Sequence, residues 1–309
     1  MNEEIIISVK NLTKDYGRGR GIFDVSFDIP KGATFGYCGT NGSGKTTTIR
    51  HIMGFLKPDK GEVKVKGLDA YKNAEDIMHY IGYVPGEIAF PDVENGSSFL
   101  KIQASMFGVT DMSKAEQVIN ALQLDPTANL RRMSKGMKQK TAIVAALMHS
   151  PEIIILDEPT TGLDPLMRDA FVNIIKEEKA RGATIIMSNH MFDELEETCD
   201  YVGFIKDGHL IDVIDMNALR NLPYRDFEIK FKTKEDYEKF VIKDYELLEK
   251  NDDESSVLIR VQLDNINSLI EEMRKHQIIY FTERKHRLEE FFEKDVEEED
   301  VDDGSDDEE

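Results

Sequence analysis

The sequence predicts an α/β fold with a mostly parallel sheet, followed by a small α+β domain and an acidic tail. Three observations carry that prediction. A short apolar run, "ATFGYCG", feeds directly into the glycine-rich stretch "GTNGSGKTTT" of residues 39–48. Two further runs, "EIIILDEP" and "ATIIMSNH", are apolar without a break and end in acids or polar groups, as strands buried on both faces of a parallel sheet do. After about Asn217 the composition changes to short strands and helices in the order β-α-β-β-α-β.

Taken from the N-terminus, "IIISVKNLTKDYG" and "IFDVSFDIP" are β-rich segments. "ATFGYCG" is a strand, the glycine-rich stretch a loop, and the residues from Thr47 onward a helix. "GEVKVKG" is a strand, and "NAEDIMHYIGYV" a helix running into a strand. In "SSFLKIQASMFG" and "SKAEQVINALQL" apolar residues recur at three- and four-residue spacing, the mark of a helix with one buried face. Together with the helix "KGMKQKTAIVAALMHS" they make a helical insertion over about residues 87–148. The hairpin "YVGFIKDGHLIDV" closes the first domain, residues 1–216. The second domain, residues 217–292, takes its strands from "DFEIKFK", "YELLEK", "SSVLIRVQL" and "IIYFTE" and its helices from "KEDYEKFVI" and "NINSLIEEMRKH", the order of a ferredoxin-like unit. A short helix, "RLEEFFEKD", precedes the tail, and no internal repeat occurs.

Composition narrows the function classes. With 40% apolar and 32% charged residues in 309, the chain has the makeup of a soluble globular protein of two domains. It contains no run of eighteen apolar residues, and "MNEEIIISVK" lacks the basic and apolar segments of a signal peptide, so any membrane involved is expected to be crossed by another chain. Cys38 and Cys199 have no metal-ligand spacing and read as buried, reduced thiols of a cytosolic protein. The net charge of −21 argues against a nucleic-acid partner, which needs a basic face. Residues 293–309 hold twelve acids and one lysine, the composition of a disordered, solvated tail.

The glycine-rich stretch meets the pattern G-x-x-x-x-G-K-[ST] at Gly39, Gly44, Lys45 and Thr46. Glycine lets the backbone curl until successive N–H groups point inward, and a helix N-terminus adds its positive dipole end. The segment Gly39, Thr40, Asn41, Gly42, Ser43, Gly44, Lys45, Thr46 and Thr47 is therefore expected to cradle a nucleotide's phosphates. Asp157 closes the strand "IIIL", and ligands of open α/β sheets sit beyond the carboxyl ends of strands, level with this loop. There it can hold magnesium opposite the Thr46 hydroxyl, and Glu158 can polarise the water that attacks the γ-phosphate. The alternative is that this acid pair caps the helix after Pro165. His190 ends "TIIMSN", within reach of the γ-phosphate as a hydrogen-bond donor, or is only a polar strand end. Tyr16, in an early loop, either stacks on the purine or is a half-buried surface residue.

These residues resemble a known family. Residues 4 to about 215 are similar to the ATPase subunit of an ATP-binding cassette (ABC) transporter, a P-loop NTPase cassette, with "GTNGSGKT" as Walker A, "IIILDEP" as Walker B, "TGLD" as D-loop and His190 as switch histidine. The family signature LSGGQ corresponds to "MSKGM" at residues 133–137, in which Ser134 and Gly136 match. The resemblance implies ATP and Mg2+ as cofactors, a second cassette, in the simplest case another copy, whose nucleotide Ser134 and Gly136 would face, and a polytopic membrane permease as partner. It also implies a place in the cytoplasm on the inner face of the membrane, and the single cassette with a small appended domain is similar to bacterial drug or antibiotic exporters. The Q-loop glutamine expected in "IGYVPGE" is replaced by Gly86, which leaves Glu87 as the candidate metal-side residue of that turn. The same stretch is the candidate surface for a permease coupling helix. A GTP switch is disfavoured because no N-K-x-D motif occurs, and chromosome-maintenance cassettes because only about 110 residues separate Walker A from Walker B, too few for a coiled-coil arm. A soluble regulatory or translation-associated cassette is the alternative reading.

Overall fold

A computed structural model describes residues 4–241, 243–284 and Leu288. The acidic tail and most of the expected helix "RLEEFFEKD" lie outside the described residues. The chain divides into two compact units, one ending at Met216 and one beginning at Asn217.

The first unit opens with an antiparallel layer. Strand β1 (Ile5–Asp15) turns through residues 16–20 into β2 (Gly21–Pro30), whose Ile22, Val25, Phe27 and Ile29 point inward while Asp24, Ser26 and Asp28 face water. Then come β3 (Thr34–Cys38), every residue buried, and helix α1 (Lys45–Ile52). The chain returns to the first layer as β4 (Lys60–Val65) and β5 (Leu68–Asp69), giving the order β2-β1-β4-β5. Next follow α2 (Ala74–Met78) and β6 (Ile81–Val84), and then the insertion of α3 (Gly96–Met106), α4 (Ser113–Ala121) and α5 (Lys135–Leu147). The unit closes with β7 (Ile153–Asp157), α6 (Pro165–Ala180), β8 (Thr184–Asn189), α7 (Phe192–Thr198), β9 (Tyr201–Lys206) and β10 (His209–Asp215).

The second layer has the order β10-β9-β3-β8-β7-β6. Strands β9, β3, β8, β7 and β6 run parallel, and β10 pairs antiparallel at the edge. The carboxyl ends of β3, β8 and β7 consequently lie side by side, where such sheets place their ligands. Residues 153–156 of β7 are wholly inaccessible to solvent, and truncating Ile155 to alanine is expected to cost about 2–5 kcal/mol. Between the two layers Phe27 stacks on Phe35 with centroids 4.8 Å apart.

The helical insertion is tied to helix α6 by a buried charge. Glu178 of α6 has no exposure, and its two oxygens meet Lys114 Nζ of α4 at 2.6 Å and Arg181 Nη2 at 2.7 Å. Removing one partner of such a pair leaves an uncompensated charge in the interior, which is strongly destabilising. The cap of α6 is Asp164, whose side chain accepts a hydrogen bond from the Met167 amide at 3.1 Å. Asp157 and Glu158 are thus not needed to cap that helix, and the capping alternative loses its motive.

A short helix α8 (Met216–Arg220) leads to β11 (Tyr224–Phe231), α9 (Lys234–Val241), β12 (Glu246–Asn251), β13 (Ser256–Gln262), α10 (Ile266–Met273) and β14 (Ile278–Arg284). Their sheet is antiparallel throughout, in the order β12-β13-β11-β14. Phe227, Ile229 and Phe231 of β11 pack with Tyr237, Phe240 and Leu269 in a core of their own. Arg260 holds Asp226 through two parallel hydrogen bonds of 2.9 Å. Among the described residues no helix is long and apolar enough to cross a membrane.

Candidate active site

The glycine-rich loop is shaped by its neighbours. Gly42 and Gly44 have φ of 85° and 112°, a left-handed region that only glycine enters freely. A Cβ on Gly44 would lie 2.5 Å from Ile22 Cγ2, and one on Gly39 would lie 2.3 Å from the Ile205 carbonyl oxygen. Thr40, Asn41 and Gly42 form the exposed crest, with Thr46 and Thr47 half-buried in the first turn of α1. Beneath the crest Lys45 is buried, and its Nζ donates to the Gly39 and Thr40 carbonyls at 2.8 and 2.9 Å. Burial lowers the Lys45 pKa, an effect opposed by Glu158, Cys38 and Asp157. Ser43 Oγ is buried with no hydrogen-bond partner among the described residues. A curled backbone, a helix N-terminus, a lysine and an unmatched hydroxyl suit a phosphate chain.

Opposite the loop, the ends of β7 and β8 supply the acids. Thr46 Oγ1 donates to Asp157 Oδ2 at 2.7 Å, and Ser188 Oγ donates to Asp157 Oδ1 at 2.6 Å, so both carboxylate oxygens are engaged and Asp157 is buried. Glu158 follows with φ of 50°, which turns the chain sharply out of the strand. Its amide bonds to Ser188, and Thr161 Oγ1 approaches its carboxylate at 3.4 Å. His190 is exposed just beyond β8. The Asn189 side chain fixes its backbone, accepting from the His190 and Met191 amides at 2.8 and 3.0 Å, while Asn189 Nδ2 donates to buried Glu194 at 2.5 Å.

Among the described residues, Tyr16, Glu87, Ser134 and Gly136 make no hydrogen bond to this cluster. Tyr16 is 50% exposed in the β1–β2 turn, and the strand leaving that turn abuts the loop, since the Gly21 carbonyl oxygen is 3.4 Å from the Cβ position of Gly44. Gly86 stands beside Asp157, where a Cβ would lie 3.2 Å from Oδ2, and Glu87 is exposed one residue further on. Ser134 is exposed and caps α5, accepting from the Met137 amide at 3.2 Å. Gly136 packs against the D-loop so closely that a Cβ would lie 2.6 Å from the Gly162 carbonyl oxygen. Met133, which departs from the family's leucine, is buried like one. Cys38 and Cys199 are both buried and form no disulfide, and burial pushes the Cys38 thiol up to about 11.

Sequence reasoning passed over Ser188, Asn189 and Glu194. The one available signal was a pair of small polar residues closing the apolar run "TIIMSN". Ser188 bonds to Asp157 and Glu158, and Glu194 bonds to Thr160, partners 30–34 positions away that a linear pattern does not reveal.

A parallel sheet with this loop, lysine, threonine–aspartate pair and following glutamate defines the class: an α/β P-loop NTPase. Residues 22–161 match the ABC transporter family. The chain is 35% identical over 237 residues to the bacitracin transport ATP-binding protein BcrA of Bacillus licheniformis, covering 74% of this chain and 76% of that one. It is also 35% identical over 213 residues to the linearmycin resistance ATP-binding protein LnrL of Bacillus subtilis (strain 168), covering 67% and 68%. The solved structure of an ATP binding subunit of an ABC transporter superposes with a TM-score of 0.63 at 29% identity, over 70% of this chain and 92% of that one. The chain belongs to the ABC transporter family, as an ATP-binding and ATP-hydrolysing subunit.

Proposed function

We propose that the cleft at the carboxyl ends of β3, β7 and β8 binds MgATP between two cassettes and hydrolyses it on the inner face of the membrane, powering a separate permease that exports a drug-like or antibiotic compound. The observation that carries this reading is the 2.7 Å bond between Thr46 and Asp157 beside a loop whose Ser43 hydroxyl is buried and unmatched. The exporter assignment rests on the antibiotic-related relatives.

In this reading the loop amides, Ser43, Lys45 and the N-terminus of α1 hold the phosphates. Thr46 and Asp157 hold Mg2+, which when bound neutralises charge on the phosphate oxygens, and Glu87 stands in for the missing glutamine. Glu158 orients the attacking water and takes its proton on a carboxylate oxygen. His190 donates a hydrogen bond to the γ-phosphate, and Tyr16 stacks on the base. Ser134 and Gly136 present the α5 N-terminus to the nucleotide of the partner cassette. The second unit is a ferredoxin-like accessory module, and the acidic tail keeps the chain solvated.

The permease's coupling helix is assigned to a groove of 220 Å³ lined by Tyr83, Ile88, Ala89, Phe90, Phe99 and Phe107. It begins at the turn that follows β6, next to Gly86 and Asp157, so a partner there would bear on the metal side of the site. Tagged chain purified from gently solubilised membranes should bring a polytopic protein with it. Ala89→Arg, on the exposed lip of the groove, should release that protein while leaving ATP affinity unchanged. Recovery of the wild-type chain solely from the membrane-free fraction would contradict the assignment.

A further inference from the structure

We propose that Ser188 is a positioning residue for both acids at the end of β7. It lies on β8, is wholly buried, and belongs to neither the phosphate loop nor the acid pair. Its hydroxyl proton goes to Asp157 Oδ1 at 2.6 Å, and the same oxygen accepts the Glu158 amide proton at 3.0 Å. One side chain therefore satisfies the outer oxygen of Asp157 and the backbone of Glu158 at once. The Ser188 carbonyl also lies 3.2 Å from the Glu158 amide, so that N–H is shared between two acceptors of one residue.

The consequences differ for the two acids. With Oδ1 held by Ser188, Oδ2 is left facing Thr46, at 2.7 Å. Glu158 adopts φ of 50°, a left-handed conformation uncommon for a non-glycine residue. The two acceptors on Ser188 hold the Glu158 amide in this turn, and the Glu158 charge is felt by Lys45. Valine or alanine would fill the same place in an apolar strand; a hydroxyl is needed because the buried Asp157 Oδ1 must find a donor, whereas the Glu158 amide could still reach the Ser188 carbonyl.

This inference rests on the reading of Glu158 as the residue that orients water, and the test separates the two. Steady-state hydrolysis, ATP affinity by titration and thermal melting are measured for wild type, Ser188→Ala, Ser188→Thr and Glu158→Gln. Ser188→Ala should melt as a folded protein and keep its ATP affinity measured without magnesium within about twofold, because the loop is untouched, while kcat falls about tenfold or more. Ser188→Thr, which restores the hydroxyl, should recover most of that loss. Turnover of Ser188→Ala within about twofold of wild type while Glu158→Gln is inactive overturns the inference and spares the reading of Glu158. Loss of magnesium-free ATP affinity in parallel with kcat, or a folded Ser188→Thr that recovers nothing, also overturns it, since either marks a residue that only fills space. Wild-type turnover by Glu158→Gln removes the reading beneath it.

Discussion

Thr46 Oγ1 and Asp157 Oδ2 are joined by a 2.7 Å hydrogen bond across 111 residues of sequence. The strand order makes this meeting unavoidable, because β7 lies one strand beyond β8 and β8 is paired with the strand that feeds the loop. In the proposed reading these would be two of the oxygens around a magnesium ion. Asp157→Asn keeps the size and can keep the bond to Thr46, but removes the charge. It should bind ATP without magnesium as wild type does, and need about 10–100-fold more magnesium to reach the same occupancy. A magnesium titration of ATP affinity checks this.

Glu87 is the side chain of the β6 turn that the missing glutamine leaves available. Gly86 occupies the place next to Asp157, so closely that a Cβ would lie 3.2 Å from Oδ2. Glu87→Ala should leave metal-free ATP affinity unchanged and raise the magnesium requirement for hydrolysis, with Glu87→Gln in between. Identical magnesium dependence for Glu87→Ala and wild type would place the residue outside the metal's surroundings.

Tyr16 is half exposed on a turn whose outgoing strand touches the loop. A ring there gains by stacking, which is blind to the base edge. Tyr16→Ala should therefore weaken ATP and GTP by similar factors, about 1–3 kcal/mol each, and Tyr16→Phe should restore most of it. Direct titrations that find the alanine variant as tight as wild type would make Tyr16 an ordinary surface residue.

Two histidines of the first unit should give its stability a pH dependence. Burial lowers the pKa of both His51 and His149, and His149 lies flat on Phe107 with centroids 4.0 Å apart. The unfolded chain takes up protons first, near the ordinary histidine value of about 6.5, so the stabilisation is complete above that pH. It is then lost as pH falls from there through the depressed folded values. Melting temperatures between pH 7.5 and 5, taken at about half-unit steps, should show this fall, and His149→Phe, which keeps the stack and cannot be charged, should reduce its slope.

The sequence made the phosphate loop and the acids of β7 legible because their chemistry is local: glycines, a lysine and a hydroxyl within one turn, and acids at the end of an apolar strand. The β-α-β-β-α-β order of the second unit was legible for the same reason, since each element carries its own periodicity. What escaped was tertiary. Helix α7 was not read, and Glu194 within it is buried through bonds to Thr160 and Asn189, residues 34 and 5 positions away. Gly136 could be matched to a signature, but its contact with Gly162 follows from how α5 meets the segment before α6. Whether Asp157 and Glu158 served the helix after Pro165 stayed open in the sequence until Asp164 was seen to cap it.

In the proposed composite site one nucleotide is clasped by the loop of one cassette and the α5 N-terminus of another. Size-exclusion chromatography with light scattering, in ATP and magnesium, tests it on four proteins. Wild type should be mostly monomeric while turnover is quick. Glu158→Gln, which keeps shape and hydrogen bonding but removes the carboxylate that orients water, should be trapped as an ATP-bound dimer. Lys45→Ala should neither bind nor dimerise, and Ser134→Arg in the Glu158→Gln background should bind ATP yet remain a monomer, because a bulky cation would face the partner's lysine. A Glu158→Gln protein that binds ATP and stays monomeric at every concentration tried would contradict the composite site.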